Sequence, residues 1–417
     1  MTELQNPPST LRKVDFDPEF RGPLSDIVVT DLSRLVAGNM LSLQLADFGA
    51  EVYKVEAPGR GDPLRAWREN GHSIYWKAYG RNKKSIAIDL KADAGKALVR
   101  DLARYSNVLI ENYRPGRMEE MGLGPDVLFA ENPNLIIVRV SGFGQTGPYR
   151  NKPGFGSLIE AMSGFATRNG FADREPVLPP LALADMIAGM QGAYSVMVAL
   201  REVELGHGTG QIVDLSLLEP MFSVLGPEPG VYAVTGNRKT RSGSGSNTSS
   251  PRNVYKTSDG HWLALSASIQ TMAERLFQTI GRDDLNQNPD FATNSERIKR
   301  RAEVDEIVGG WIGERTRNEA LGIFDAAGVT VGPVYDVDDI LTDTHFSERE
   351  IAVQVPDEDV GHVTIHGISP KLSESPGGLR CPAPALGQDT RYILQKIGKS
   401  DDEIADLINR SVTAELS

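Results

Sequence analysis

The chain has 417 residues, 40% hydrophobic and 24% charged, with 44 Lys and Arg against 56 Asp and Glu. That length exceeds what one ordinary core organises, so two or three domains are expected in an ordered globular protein. A formal net charge of −12 excludes nonspecific binding to nucleic acid or to an acidic membrane, although a small anionic ligand needs only a local basic patch.

The opening MTELQNPPSTLRKVDF is polar, contains prolines and lacks the apolar stretch of a secretion signal; it is expected to form an arm on a cytoplasmic protein. IVVTDL (27–32) then predicts a buried strand. AGNMLSLQLADFGA (37–50) predicts a helix, with Leu41, Leu45 and Phe48 near helical spacing, and EVYKVE (51–56) the next strand. The alternation continues through helix 93–106, strand 108–113, helix 125–132 and strand 135–143, then a helix from about 188 to 203 and strand 211–217. Alternation of this kind implies an α/β fold with a parallel sheet.

GFGQTG (142–147) has the form of a dinucleotide fingerprint, but PYRNKPG follows, and its prolines prevent a helix from opening there to receive a pyrophosphate. Neither G-x-S-x-G nor G-x-x-x-x-G-K-[ST] occurs, which removes serine-hydrolase and P-loop chemistry. Composition shifts at 236–253, GNRKTRSGSGSNTSSPRN, which reads as a mobile loop. A strand pair turning at the DG of NVYKTSDGHWLALSA (253–267) and helices up to about 327 then suggest a smaller domain. His362 and His366 share a strand face in VGHVTIHG; with no further His or Cys nearby they read as surface positions, not a metal site. The single cysteine, Cys381, excludes an internal disulfide and a Cys-based zinc site. No run of about 18 apolar residues marks a membrane span.

One carboxylate is conspicuous. VLPPLALADMIAGMQGAY (177–194) places Asp185 among Ala184, Met186, Ile187 and Ala188. In such surroundings a carboxylate is paired, hydrogen-bonded or chemically employed, and as a helix cap alone it contributes about 1 kcal/mol. Basic residues concentrate in SRLVAG (33–38), EAPGRGDPLRAW (56–67), GRNKKSIAIDLK (80–91) and ENYRPGRMEEMGLG (111–124), beside strand ends, where open α/β sheets bind ligands. Collectively they suit a polyanion such as a nucleotide-bearing cofactor.

These segments, with DFGAEVYKVEAPGRGD, SGFGQTGP, VGPVYDVDDIL and PALGQDTRYIL, resemble in order the class III coenzyme A-transferase family, the CaiB/BaiF group that includes formyl-CoA:oxalate transferase. The resemblance implies an interlocked homodimer. Residues 1–225 and 338–417 would form a Rossmann-like large domain, and 226–337 a smaller α+β domain. It implies a CoA thioester as substrate, no permanently bound cofactor, and no nucleic-acid or membrane partner.

It also implies that Asp185 is the nucleophile, working through aspartyl anhydride and aspartyl-CoA thioester intermediates. Matching positions assign CoA contacts to Arg34, Val36, Ile88, Lys91, Asn112, Tyr113, Arg114, Arg117, Met121 and Phe143, with Lys91 a partner for the 3′-phosphate. Glu120 replaces a family arginine, so Arg114 or Arg117 is expected to supply that charge, and Ala57 replaces a basic residue, with Arg60 as substitute. Val36 stands where formyl-CoA transferase has a glutamine, which argues against oxalate and formate. Gly243, Ser244 and Gly245 occupy the place of a family loop that closes over the aspartate and offers backbone N–H groups to an oxyanion; a plain linker is the alternative.

The family also contains α-methylacyl-CoA racemases, which need a histidine base about 30 residues before the aspartate. Phe155 stands there and cannot transfer a proton. A further alternative, an inactive CoA-binding subunit of a hetero-oligomer, is disfavoured by the presence of Asp185. For the acids, the resemblance and the Arg-rich segments point to a dicarboxylate acceptor, with succinyl-CoA as donor.

Overall fold

The computed structural model describes residues 7–415. The chain divides into two compact units: residues up to 163, 179–226 and from 341 onward form the larger, while 164–178 and 227–340 form the smaller. Segment 164–178 is thus not part of the large domain as the sequence boundaries have it. Hydrogen bonds tie it to the glycine-serine loop: the Gly243 N–H donates to the Gly170 carbonyl at 2.9 Å, and the Arg241 guanidinium to the Phe171 carbonyl at 2.9 Å.

In the larger unit, β1 (Val28–Asp31), β2 (Glu51–Glu56), β3 (Lys83–Ile88), β4 (Val108–Glu111), β5 (Ile136–Ser141), β6 (Ile212–Ser216) and β12 (Thr413–Ala414) make one sheet in the order β12-β3-β2-β1-β4-β5-β6. All neighbours are parallel except β12, which runs against β3. A parallel sheet covered on both faces needs continuous apolar strands, and Val29, Leu109, Ile110, Ile136 and Val138 are fully buried. Strand order reverses at β1, with β2 and β3 on one flank and β4 to β6 on the other. That leaves a crevice at the carboxyl ends of β1 and β4, where such sheets receive ligands.

Strand β3 is absent from the sequence reading because KKSIAI opens on two lysines. Lys83 is only 1% exposed, and its Nζ donates to the Asn39 carbonyl at 2.9 Å and to Asn39 Oδ1 at 3.0 Å. Burial pushes its pKa down to about 7, although the Asp31 charge opposes this. The helices Thr390–Lys396 and Asp401–Asn409 return the chain's end to this sheet, packing Ile393, Leu394 and Ile404 with Leu98 and Leu102 of helix Asp93–Tyr105.

The described part of the amino-terminal segment is not a free arm. The Val14 N–H donates to the Gln354 carbonyl and the Gln354 N–H to the Arg12 carbonyl, both at 2.9 Å, satisfying the edge of strand β10 (Ala352–Asp357). Val14 and Phe16 pack on Val353, Val355 and their antiparallel neighbour β11 (Gly361–His366). His366 is exposed, as its surface role requires, and also has neighbours: its Nε2 lies 3.2 Å from Arg81 Nη2, and its ring leans on Tyr79.

Helix Leu183–Glu204 holds no unbroken apolar run, as the sequence reading has it, yet it is long and apolar enough by length and composition to cross a membrane. Its inner face is packed instead on helix Ala37–Asp47. A Cβ on Gly189 would stand 2.7 Å from Met40 Cβ, and one on Gly192 2.4 Å from Leu41 Cδ1, so only glycine permits this approach.

The smaller unit holds β7 (Arg252–Lys256), β8 (Trp262–Ser266) and β9 (Val331–Pro333) in that order, with Gly260 at φ +87° in the expected turn. Tyr255, Leu263, Phe277 and Phe324 fill its core.

Candidate active site

The site is built outward from buried charge at the carboxyl ends of β1 and β2. Lys54 Nζ lies 3.3 Å from Asp31 Oδ1 and 3.2 Å from Asp62 Oδ2, with all three side chains out of solvent. Burial acts to lower the Lys54 pKa, but Asp31, Asp62 and Glu56 together hold it above its ordinary value. Asp62 in turn accepts from the Leu35 N–H at 3.0 Å and from Asn39 Nδ2 at 2.9 Å. These bonds hold Leu35 at φ +64° and fix where helix 37–47 begins. Lys54→Met would strand two carboxylates without their cation. The expected cost is about 3–5 kcal/mol of unfolding free energy in urea titration; a loss under about 1 kcal/mol would mean that the carboxylates find other partners.

Asp185 lies in the first turn of helix 183–204, starting about five residues before the sequence reading began it. Its carboxyl is pushed up to about 6, first by burial and then by the negative charge of Glu160, while the backbone N–H groups of Ala37 and of Asp185 itself oppose the rise. The carboxylate therefore meets the amino-terminal ends of two helices, its own and 37–47. Gly156 abuts it: a Cβ there would stand 2.3 Å from Asp185 Oδ2. Glu160, 1% exposed on helix Gly156–Met162, accepts from the Ala184 N–H at 3.1 Å.

Asp185 opens into a cavity of about 370 Å³ whose lining includes Arg34, Asn112, Tyr113, Arg114, Arg150, Lys152 and Phe155. A second cavity of about 180 Å³ shares Arg34 and Tyr113 and adds Ile88 and Lys91. Six of the residues expected at CoA are thus brought together in these two cavities. Asn112 acts through the backbone: its amide donates to the Arg34 carbonyl at 2.8 Å and accepts from the Arg34 N–H at 3.0 Å, clasping the loops after β1 and β4 where strand order reverses. The Arg34 guanidinium lies 5.1 Å from the Tyr113 ring centroid.

The other assignments depart from expectation. Val36 is buried with Leu64 and Trp76, because the left-handed Leu35 turns it away from the cavity. Met121 belongs to the sheet's core, and Phe143 stacks edge-on against Tyr149. Arg117 lines neither cavity and pairs with Glu120 at 2.9 Å; Arg114, 3.4 Å from the same carboxylate, does reach the cavity. In the smaller unit, the Gly243 and Gly245 N–H groups are already bonded to the Gly170 and Ser242 carbonyls. They are therefore not free donors, and the loop is not a slack linker.

GFGQTG is also explained. A Cβ on Gly142 would lie 2.7 Å from Gly154 Cα, and Gly144 turns at φ +86°, so these glycines let segment 153–156 approach the end of β5. Sequence reasoning missed Arg139, whose guanidinium donates to Glu111 and Glu119 at 2.8 and 2.7 Å, while Glu111 accepts the Tyr113 N–H at 2.7 Å. It also missed Glu160, which in GSLIEAMSG has no local signal that separates it from a surface glutamate.

The profile of CoA-transferase family III matches residues 24–390. The chain belongs to CoA-transferase family III. A succinyl-CoA–D-citramalate CoA-transferase of Chloroflexus aurantiacus is 40% identical over 92% of this chain and 96% of its own length. The alpha subunit of a succinyl-CoA–L-malate CoA-transferase from the same organism is 37% identical, covering 94% and 92%. Among solved structures, a CaiB/BaiF family protein from Brucella suis superposes with a TM-score of 0.80 at 29% identity, over 91% of this chain and 100% of that one. In this transferase Phe155, 69% exposed, lines the same cavity as Asp185 and cannot transfer a proton.

Proposed function

We propose that this transferase moves CoA from succinyl-CoA to a second dicarboxylate, with Asp185 as the nucleophile. The Asp185 carboxylate attacks the thioester carbonyl, forming an aspartyl–succinyl anhydride and releasing CoA thiolate. The thiolate attacks the aspartyl carbonyl, succinate leaves, and an aspartyl-CoA thioester remains. The incoming carboxylate attacks the aspartyl thioester carbonyl, forming an aspartyl–acceptor anhydride and again releasing thiolate, which attacks the acceptor's carbonyl to form the new acyl-CoA and regenerate the Asp185 carboxylate. The observation that carries this reading is Asp185 in the wall of the cavity that also contains Arg34, Asn112, Tyr113 and Arg114. Arg150 and Lys152 line the same cavity and suit the second carboxylate of a diacid. The names of the relatives support succinyl-CoA as donor.

Intact-protein mass spectrometry after incubation with succinyl-CoA, with hydroxylamine trapping, tests the route. An adduct of acyl or CoA mass before hydroxylamine, replaced by a hydroxamate at Asp185 after it, supports it. Exchange of solvent deuterium into the α-carbon of a branched acyl-CoA, with no adduct, would mark a racemase instead. For the acid, transfer from succinyl-CoA to at least one of malate, citramalate, glutarate, itaconate or mesaconate is expected, and failure with all of them removes the dicarboxylate assignment.

CoA is proposed as a substrate that comes and goes, with Lys91 at its 3′-phosphate. Lys91→Ala is expected to raise KM for succinyl-CoA about tenfold with kcat little changed, the loss of one charge-assisted contact; an unchanged KM places the phosphate elsewhere. A cytoplasmic homodimer completes the proposal. Exposed Met190, Tyr194, Met197 and Val198 fall on one face of helix 183–204 and support a partner surface there. Native mass spectrometry showing only monomer at micromolar concentration would remove the dimer.

A further inference from the structure

The second carboxylate at the site has no part in the steps above. Glu160 is 1% exposed, and a glutamate is rarely hidden so completely without a task. Its Oε1 accepts from the Ala184 N–H at 3.1 Å, one of the free donors at the start of the helix that carries Asp185. The bare Cα of Gly156 brings the two acids close: a Cβ on Gly156 would stand 2.3 Å from Asp185 Oδ2 and 3.9 Å from Glu160 Oε1. Hence the two oxygens are no farther apart than about 6 Å, within range of strong interaction where water is scarce.

We infer that Glu160 is a positioning residue acting through Asp185: it takes up the Ala184 N–H that would otherwise quiet the nucleophile, and its charge behind Asp185 strengthens attack on the thioester. A carboxylate nucleophile gains reactivity with basicity, and two features of a helix start reduce basicity, the free N–H groups and the aligned peptide dipoles. Glu160 removes one of those donors and opposes the dipoles. Beside burial, which raises its basicity most, the groups that face Asp185 are Glu160 from helix 156–162, which makes it more basic, and the N–H groups of Ala37 from helix 37–47 and of Asp185 itself, which make it less so. Arg34, Arg114, Arg150 and Lys152 line the cavity into which Asp185 opens. Among the groups that face Asp185, only Glu160 pushes the nucleophile toward higher basicity.

This inference rests on Asp185 being the nucleophile, so trapping of the wild-type adduct at Asp185 comes first. Failure there removes the reading of the site, not merely the role of Glu160. With the adduct in hand, the pH dependence of kcat/KM is compared between wild type and Glu160→Gln. Glutamine keeps the length and still accepts from Ala184, but it drops the charge. The acid limb is expected to move down by about one pH unit, and the plateau kcat to fall several-fold. A lower kcat with the limb in its wild-type place would reduce Glu160 to a structural cap and overturn the inference. So would an unchanged enzyme. If Glu160→Gln does not fold by circular dichroism, Glu160→Asp carries the test: the shorter side chain draws the charge back, and the limb is expected to shift in the same direction by a smaller amount. An unmoved limb in that folded variant overturns the inference equally.

Discussion

Asp185→Asn is expected to lower CoA transfer at least about a thousandfold, to abolish the trapped adduct, and to make the fold more stable at pH 8. The stability gain follows from linkage. Burial, and then Glu160, raise the Asp185 pKa from 3.8 to about 6 in the folded chain. Between those values the folded state binds more protons than the unfolded state, so stability falls as pH rises through this window. Above about pH 6 the wild type carries the whole penalty; below about pH 4, where both states are protonated, it carries none. Asparagine does not ionise and escapes the penalty. Allowing for partial exposure of the carboxylate, the gain should be about 1–2 kcal/mol at pH 8 and should shrink toward zero as pH falls to 4. Urea denaturation of both proteins at several pH values measures it. A variant less stable than wild type at pH 8, or a gain independent of pH, would contradict the account of Asp185 as a carboxylate held in an unfavourable setting for the sake of its chemistry.

The second large effect belongs to a residue with no side chain. Gly156→Ala places a methyl group 2.3 Å from Asp185 Oδ2, well inside van der Waals contact, with the Glu160 carboxylate on the same side. Either the Asp185 carboxylate rotates away or helix 156–162 moves back and takes Glu160 with it, and each alters the placing of the Asp185 oxygen against its neighbours by about 1 Å. Misplacement on that scale lowers kcat about a hundredfold. Stability should fall by about 1–3 kcal/mol, as in other overpacked sites. KM for acyl-CoA should change little, because Lys91, Ile88 and Tyr113 line a cavity that does not include Gly156. Steady-state kinetics that separate kcat from KM decide it. A kcat within threefold of wild type would mean that the carboxylate has room the geometry does not indicate.

Legibility of the sequence followed physical locality. β1 and β4 are readable as apolar runs, and β2, β5 and β6 as apolar stretches broken by one charged residue each, Lys54, Arg139 and Asp214, with a helix near each in sequence. β3 is not, because Lys83 is accommodated by Asn39, which lies 44 residues earlier and is invisible to any window of the sequence. Asp185 stands out because its immediate neighbours are apolar. Glu160 does not, since its burial arises only when two helices meet. Val36, aligned with a family residue that touches ligand, fails for a different reason: the positive φ of Leu35 rotates the next side chain inward, and backbone handedness is not written in residue identity. The glycines of GFGQTG were misleading as a motif yet informative as residues, for they mark where two backbones touch.

Gly189 and Gly192 have a consequence beyond tight packing. By seating one helix directly on Met40 and Leu41 of the other, they make the bearer of the proposed nucleophile, Asp185, and the bearer of the Ala37 N–H a single mechanical part. Neither can slide without the other, so the alignment between attacking oxygen and stabilising donor survives changes elsewhere in the cavity. Arg150, Lys152 and Phe155 line the cavity from a separate stretch of chain. A fold of this design can acquire a new acid partner by altering that stretch alone, while the reaction itself is inherited intact.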